Sequence, residues 1–230
     1  MYQKLIFEDI YWNWFKGNEI SAKQLQSIGI FRSQVLFNLG LRKSFGPFEM
    51  DFGDLRYVDF ESYHIVAYYK SKLIGSIRVT PPMLETVTFG AMGMKLYLET
   101  LEMLGGDLNN VIEINRLMVD PDYRDLSLGR TLIYAAVALI ENIWDRSKML
   151  ILGSAGHCMG QTEFVLKHTD FQKIPNREEC FSQLFNDKLT FLYYKQAPYL
   201  KGVELISFFQ NLFKQKDTVV ENSINKSIAL

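Results

Sequence analysis

The 230 residues are 48% hydrophobic, enough for a substantial core, and one domain is expected. With 25 basic and 26 acidic residues the net charge is −1, so the chain has no overall basic footprint for nucleic acid. Cys158 and Cys180 are too few for a disulfide framework, and with His64, His157 and His168 they make no zinc-ligand spacing, so no metal is expected. The first 17 residues begin apolar but are broken by Glu8, Asp9 and Asn13, unlike a signal peptide, and no apolar run approaches the ~20 residues of a membrane span. The expectation is a cytoplasmic protein, with membrane contact at most peripheral.

Residues 2–15 crowd Tyr11, Trp12, Trp14 and Phe15 together and read as a short helix packed on the core, the alternative being a patch facing lipid or a partner. Ser21 and Gln24 have capping-box spacing, and Leu25, Ile28, Phe31, Val35, Leu36 and Leu39 then mark an amphipathic helix closed by Gly40. Arg32 falls on that apolar stripe, where it either snorkels to water or faces an anionic partner. Residues 42–60 read as an irregular loop carrying Glu49, Asp51, Asp54 and Asp59. Two β-rich runs, 63–69 and 73–79, make a hairpin over a three-residue turn. Gly75 suggests a bulge or a close backbone approach, and Arg78 stands just before Thr80-Pro81-Pro82 stops the strand. Met94, Tyr97, Leu98, Leu101 and Leu104 have helical spacing, ended by Gly105-Gly106.

The stretch 111–143 organises the rest. A β-branched strand carries Glu113 and Arg116, a Pro-containing turn follows, and a small-residue loop opens a long helix whose pattern starts at Thr131. The unpaired N–H groups and partial positive charge of a helix start suit a phosphate. Strict alternation puts Glu113, Asn115, Leu117 and Val119 on one face of this strand and Ile112, Ile114, Arg116 and Met118 on the other. Glu113 and Arg116 need partners in so apolar a run. Arg116 could pair with a loop carboxylate and Glu113 with Arg32 or Arg78, or Glu113 could take a proton from an attacking amine. Residues 149–152 then read as a buried strand, 153–156 as a small-residue turn, 161–168 as a helix, and 171–174 and 188–195 as strands. Leu205, Phe208, Phe209, Leu212 and Phe213 form a C-terminal amphipathic stripe, and 214–230 is expected to be a flexible tail. This order of elements favours an α/β or α+β fold.

Residues 119–130, with Arg124-x-x-Ser127-x-Gly129, resemble the acyl-CoA-binding motif of the GNAT superfamily of N-acetyltransferases, with Ser127 at its first glycine. The resemblance implies a mixed, mostly antiparallel central sheet flanked by helices and splayed between the strands at 111–119 and 149–152. It also implies a single acyltransferase domain over 1–213 and a donor site built from Leu117, Met118, Val119, Arg124, Leu126, Ser127, Leu128, Gly129, Arg130 and Thr131. A narrower likeness runs from Phe31 to Arg130. Arg32, Asp59, Gly75-x-x-Arg78 and Glu113-x-x-Arg116 are similar in order and spacing to the acyl-homoserine-lactone synthases and N-acyl amino acid synthases. That likeness implies Glu113 as proton acceptor through water, with Arg32, Asp59, Arg78 and Arg116 as an ion-pair network around the acceptor. It implies transfer of a medium or long acyl chain from acyl-CoA or acyl carrier protein to a small-molecule amine such as an amino acid. Leu39-Gly40-Leu41 lacks the tryptophan of the lactone synthases, and Leu166 stands where common acetyltransferases have a tyrosine acid. The alternatives are a short-chain acetyl-CoA-dependent enzyme and a non-catalytic acyl-CoA-binding module.

Overall fold

The computed structural model describes residues 9–40, 55–158, 160–183, 186–194 and 201–214, with only the backbone at 125, 126 and 146. In chain order these are β1 (Tyr11–Lys16), α1 (Ala22–Asn38), α2 (Tyr57–Glu61), β2 (Tyr63–Tyr69), β3 (Lys72–Thr80), α3 (Val87–Met92), α4 (Met94–Met103), β4 (Val111–Val119), α5 (Leu128–Ile143), β5 (Leu150–Gly156), α6 (Gln161–His168), β6 (Phe171–Lys173), β7 (Cys180–Ser182) and β8 (Asp187–Tyr194). A last helix, α7, spans 203–214. The strands form one sheet in the order β1-β2-β3-β4-β5-β8-β6, with β7 also on β8. Only β4 and β5 run parallel among these pairs.

Two layers of helix cover the sheet because its strands are apolar on both sides. Ile65, Ile77, Ile112, Ile114, Ile151 and Leu192 face α5, a helix whose 16 residues include 12 that are buried, so its sequence is apolar almost all round. On the opposite face Val111, Leu152 and Phe191 pack under Tyr97 and Leu101 of α4. There too Phe31, Val35 and Leu36 of α1 meet Met118.

Several expectations change. The aromatic N-terminus is a strand, not a helix: β1 pairs antiparallel with β2 from Tyr11↔Tyr68 to Lys16↔Tyr63. Aromatic side chains suit a pleated, half-buried surface. Trp12 meets Phe209 edge-on at 4.9 Å and Trp14 meets Phe213 at 6.0 Å, so these rings are spent on docking α7 rather than held out for lipid or a partner. In α7 the buried side chains are Ile206, Phe209 and Phe213, while Phe208 faces out. The β2–β3 hairpin closes over two residues, Lys70 and Ser71, both at positive φ, which matches the strands' twist better than a three-residue turn. Asp59 lies in α2 rather than in irregular loop, and Met94 and Leu98 of α4 are exposed while Tyr97 and Leu101 are buried. Residues 153–156 continue β5 instead of turning, because β8 pairs with them through Gly156↔Leu189. The capping box is formed, with Ser21 Oγ accepting from Gln24 N and Gln24 Oε1 accepting from Ser21 N.

One irregularity positions the site. Arg78 pairs with Asn115 and Ser76 with Met118, so Ile77 alone faces both Arg116 and Leu117, and Arg116 adopts φ 54°. This β-bulge reverses the strand's alternation. Leu117 and Val119 pack with the α5-side core and Met118 with α1, the opposite of what strict alternation assigns relative to Glu113 and Asn115.

Candidate active site

Beyond the bulge the sheet opens. β4 and β5 pair from Val111↔Leu150 to Ile114↔Gly153 and no further, while β4 stays on β3 to Val119 and β5 stays on β8 to Gly156. Among the described residues no strand lies between the facing backbone edges of 115–119 and 154–156, which leaves amide and carbonyl groups for an inserted chain. Gly153 sits at the vertex, where a Cβ would stand 3.2 Å from the Ile114 carbonyl oxygen and 3.5 Å from the Phe171 ring.

A cleft fills this opening and has two limbs. The outer limb is lined by Val35, Leu39, Val119, Arg124, Gly129 and Phe164. The inner limb runs past Asn115, Arg116, Gly153 and Ser154 to an apolar floor of Ile77, Ile114, Ile133, Val165, Phe171 and Leu192. Leu36, Leu117, Met118, Gly156, Gln161 and Asp187 line both and form its waist.

The outer limb ends on the loop before α5. Asp120 accepts from Asp122 N at 3.0 Å and pairs with Lys72 at 2.9 Å, fixing the turn. The first helical bond of α5 runs from Thr131 N to Ser127 O at 3.1 Å, so the amides of Leu128, Gly129 and Arg130 precede the ladder. No acidic residue stands in this first turn to repel an anion. Ser127 takes the left-handed conformation, φ 57° and ψ 16°, that the motif's usual glycine adopts more easily. Of the expected donor residues, Leu117, Met118, Val119, Arg124 and Gly129 line the cleft. Leu128 instead packs in the core, and Arg130 turns away to donate to the Lys201 carbonyl at 2.6 Å and lie over the Tyr134 ring. Thr131 bonds back to Ser127 O, and the Leu126 side chain lies outside the described residues.

Behind the inner limb lies a buried ionic wall. Arg32 Nη2 and Arg78 Nη1 each donate to Asp59 Oδ1 at 2.8 Å, and Asp59 Oδ2 accepts from Arg56 N at 2.9 Å. All three charged side chains are at most 1% exposed. Burial alone would raise the proton affinity of Asp59, but the two guanidiniums reverse this and hold its carboxyl well below the usual range. Arg78 Nε donates to Asn115 Oδ1 at 2.7 Å, and Asn115 Nδ2 donates to Glu113 Oε1 at 2.8 Å. Glu113 also accepts from Val87 N at 3.0 Å and Thr88 N at 2.9 Å, which caps the start of α3. Glu113 therefore pairs directly with neither Arg32 nor Arg78: Asn115 is interposed between Glu113 and Arg78, two residues along β4 from the first and opposite the second on β3. Arg116 lines the cleft, and the loop carboxylates Glu49, Asp51 and Asp54 lie outside the described residues.

Sequence reasoning missed four parts of this arrangement. Asn115 is one, since its polarity drew less notice than the charges beside it. His64 is another: its Nε2 donates to the Asp59 carbonyl at 2.8 Å, and burial, then Arg32, lowers its pKa to about 4, so it is neutral. Gly156 and Asp187 at the waist are the others, Gly156 hidden because residues 153–156 read as a turn and Asp187 because it precedes the strand expected at 188–195. Leu166 packs on the core, as expected of an apolar residue.

The site is thus a sheet opened between two parallel strands, with a helix start at its mouth whose amides precede the helical ladder. The acetyltransferase (GNAT) family model matches residues 34–152, and the chain belongs to that family. No curated protein sequence matches it. Solved structures do. An acyl-CoA N-acyltransferase from Pseudomonas aeruginosa is 16% identical with a TM-score of 0.51, over 81% of this chain and 99% of that one. BjaI, a CoA-dependent acyl-homoserine lactone synthase, is 13% identical with a TM-score of 0.55, over 88% of each chain. FeeM, an N-acyl amino acid synthase from uncultured soil microbes, is 11% identical with a TM-score of 0.50, over 80% of this chain and 89% of that one. These likenesses establish the GNAT fold: an open, mostly antiparallel sheet flanked by helices.

Proposed function

We propose that the protein is an N-acyltransferase that moves a medium or long acyl chain from acyl-CoA or acyl carrier protein to a small-molecule amine, with one acyltransferase domain over residues 1–213. The observation that carries this reading is the depth of the inner limb. Past the Gly153 vertex the cleft continues between the sheet and α5 among Ile77, Ile114, Ile133, Val165, Phe171 and Leu192. An acetyl group has no use for such a floor, whereas each methylene buried there contributes about 0.8 kcal/mol.

In this reading the amides at the start of α5 hold the donor's phosphate, and the open edges of β4 and β5 bond the pantetheine amides. The amides near Leu117, Met118 and Val119 polarise the thioester oxygen. The amine nitrogen attacks the carbonyl carbon, a C–N bond forms, the C–S bond breaks, and the thiolate and the ammonium's proton leave separately. Arg32, Asp59, Arg78 and Arg116 build the wall that fixes the acceptor side. A carboxylate has about four acceptor positions. Protein donors fill three of those on Glu113, leaving one on Oε2 for a water that passes it the proton. The lactone-synthase and amino acid synthase names of BjaI and FeeM agree with transfer of an acyl group to an amine. A cytoplasmic location fits donors and acceptors of this kind.

Thiol release measured with acetyl-, octanoyl- and dodecanoyl-CoA and the matching acyl carrier proteins, over a panel of amino acids and alkylamines, tests this. Turnover confined to acetyl-CoA would overturn the chain-length assignment.

A further inference from the structure

Asp187 is, among the described residues, the one acidic side chain that lines the cleft, and it lines both limbs. It opens β8 two residues before Leu189, which lines the inner limb, and four before Phe191, which packs under α4. Period-2 alternation therefore places Asp187 on the face that also carries Glu113 and Asn115, across the opening from them.

The carboxylate is built into this position. Cys158 N donates to both of its oxygens at 3.1 Å. Gly156 makes room for it, since a Cβ at Gly156 would stand 2.2 Å from Asp187 Oδ2. Gly156 is not in the left-handed region, so its backbone does not require glycine there; the neighbouring carboxylate does. One N–H leaves most of the acceptor capacity of Asp187 open to the cleft, unlike Glu113, whose three donors come from the protein itself. A half-buried anion with open lone pairs at the waist suits a ligand that brings a cation and several N–H donors.

We propose that Asp187 is the acceptor-binding residue: it accepts N–H bonds from the incoming ammonium and holds that nitrogen at the waist. There one proton passes through water to Glu113 and frees the lone pair for the thioester carbonyl beside Leu117 and Met118, and the second, shed after attack, goes to the departing thiolate. The inference rests on the N-acyltransferase reading and names the charge state in which the acceptor is recognised. It selects protonated primary amines over neutral nucleophiles.

The test compares wild type, Asp187→Asn and Asp187→Glu in steady state with octanoyl-CoA, using the best amine from the acceptor panel and hydroxylamine, which is largely uncharged at neutral pH. Asn is isosteric and still accepts from Cys158 N, so the waist keeps its shape. Loss of a charge-assisted bond should raise the KM for the cationic amine about tenfold or more. The turnover number and the KM for octanoyl-CoA hold, the KM for hydroxylamine stays in place, and Asp187→Glu recovers part of the loss. An unchanged KM for the cationic amine overturns the proposal. Equal losses for both acceptors, or loss of donor affinity, also overturn it, because they mark a purely structural role. A wild-type protein that makes no amide from any donor and amine overturns the parent reading and this one with it.

Discussion

Replacing Asp59 with asparagine probes the ionic wall most sharply. Two guanidiniums, each 2.8 Å from one Asp59 oxygen and almost fully buried, would keep their shape and lose the charge between them. Breaking a buried pair costs about 3–5 kcal/mol, and here one carboxylate serves two cations, so the upper end is expected. Against a total stability of about 5–15 kcal/mol this is a third or more of the whole. Urea unfolding followed by the fluorescence of Trp12 and Trp14, both packed under α7, reads the loss. The double variant Asp59→Asn with Arg32→Met should recover at least about 1 kcal/mol of it, since the second change removes one of the two cations that Asp59 held. A single Asp59→Asn variant within about 1 kcal/mol of wild type would refute the account, because that is the cost of an ordinary substitution. The pH dependence has a fixed sign. The carboxyl of Asp59 is held low in the folded state, so its stabilisation is present above the unfolded pKa of about 4 and is lost as pH falls below it.

His64 contributes at milder pH. Its folded pKa of about 4 lies below the ordinary histidine value of 6.5, so the unfolded chain binds the proton first and stability falls as pH drops from 6.5 towards 4. The slope is at most about 1.4 kcal/mol per pH unit. His64→Gln keeps a donor for the Asp59 carbonyl and should flatten that stretch of the profile in urea titrations at pH 7 and pH 5; an unchanged slope would assign it to other groups. Gly153→Val fills the vertex between the Ile114 carbonyl and the Phe171 ring. Excluding even three methylenes from the inner limb costs about 2.4 kcal/mol, roughly 50-fold in kcat/KM for dodecanoyl donors, while acetyl donors are spared. Equal losses for both donors would show that the chain does not pass Gly153.

The periodic elements were legible from sequence. The capping box, the helix at 161–168 and the β2–β3 hairpin follow from local chemistry that tertiary contacts reinforce. The aromatic N-terminus was not, because Trp12 and Trp14 are set by pairing with β2 and by α7, some two hundred residues away in sequence. The bulge at Arg116 escaped for a different reason: neither it nor Leu117 is a glycine, so nothing local marks the positive φ that reverses the strand. Arg32 stood out as a charge on an apolar stripe, Asp59 and Arg78 were singled out by the resemblance to the acyl-homoserine-lactone and N-acyl amino acid synthases, and the structure brings the three within hydrogen-bonding distance. Asn115 and Asp187 gave no such contrast. Their positions come from cross-strand register and from the space left by Gly156, which a one-dimensional pattern does not encode.

The central claim is that an acyl chain lodged in the inner limb is passed to an amine. Mass spectrometry of lipid extracts from cells overexpressing the wild-type protein or Glu113→Gln tests it most directly. The account predicts a new acyl amide of medium or long chain with the wild type and its loss in Glu113→Gln. Extracts with no new amide, or with the same amide from both proteins, would contradict it.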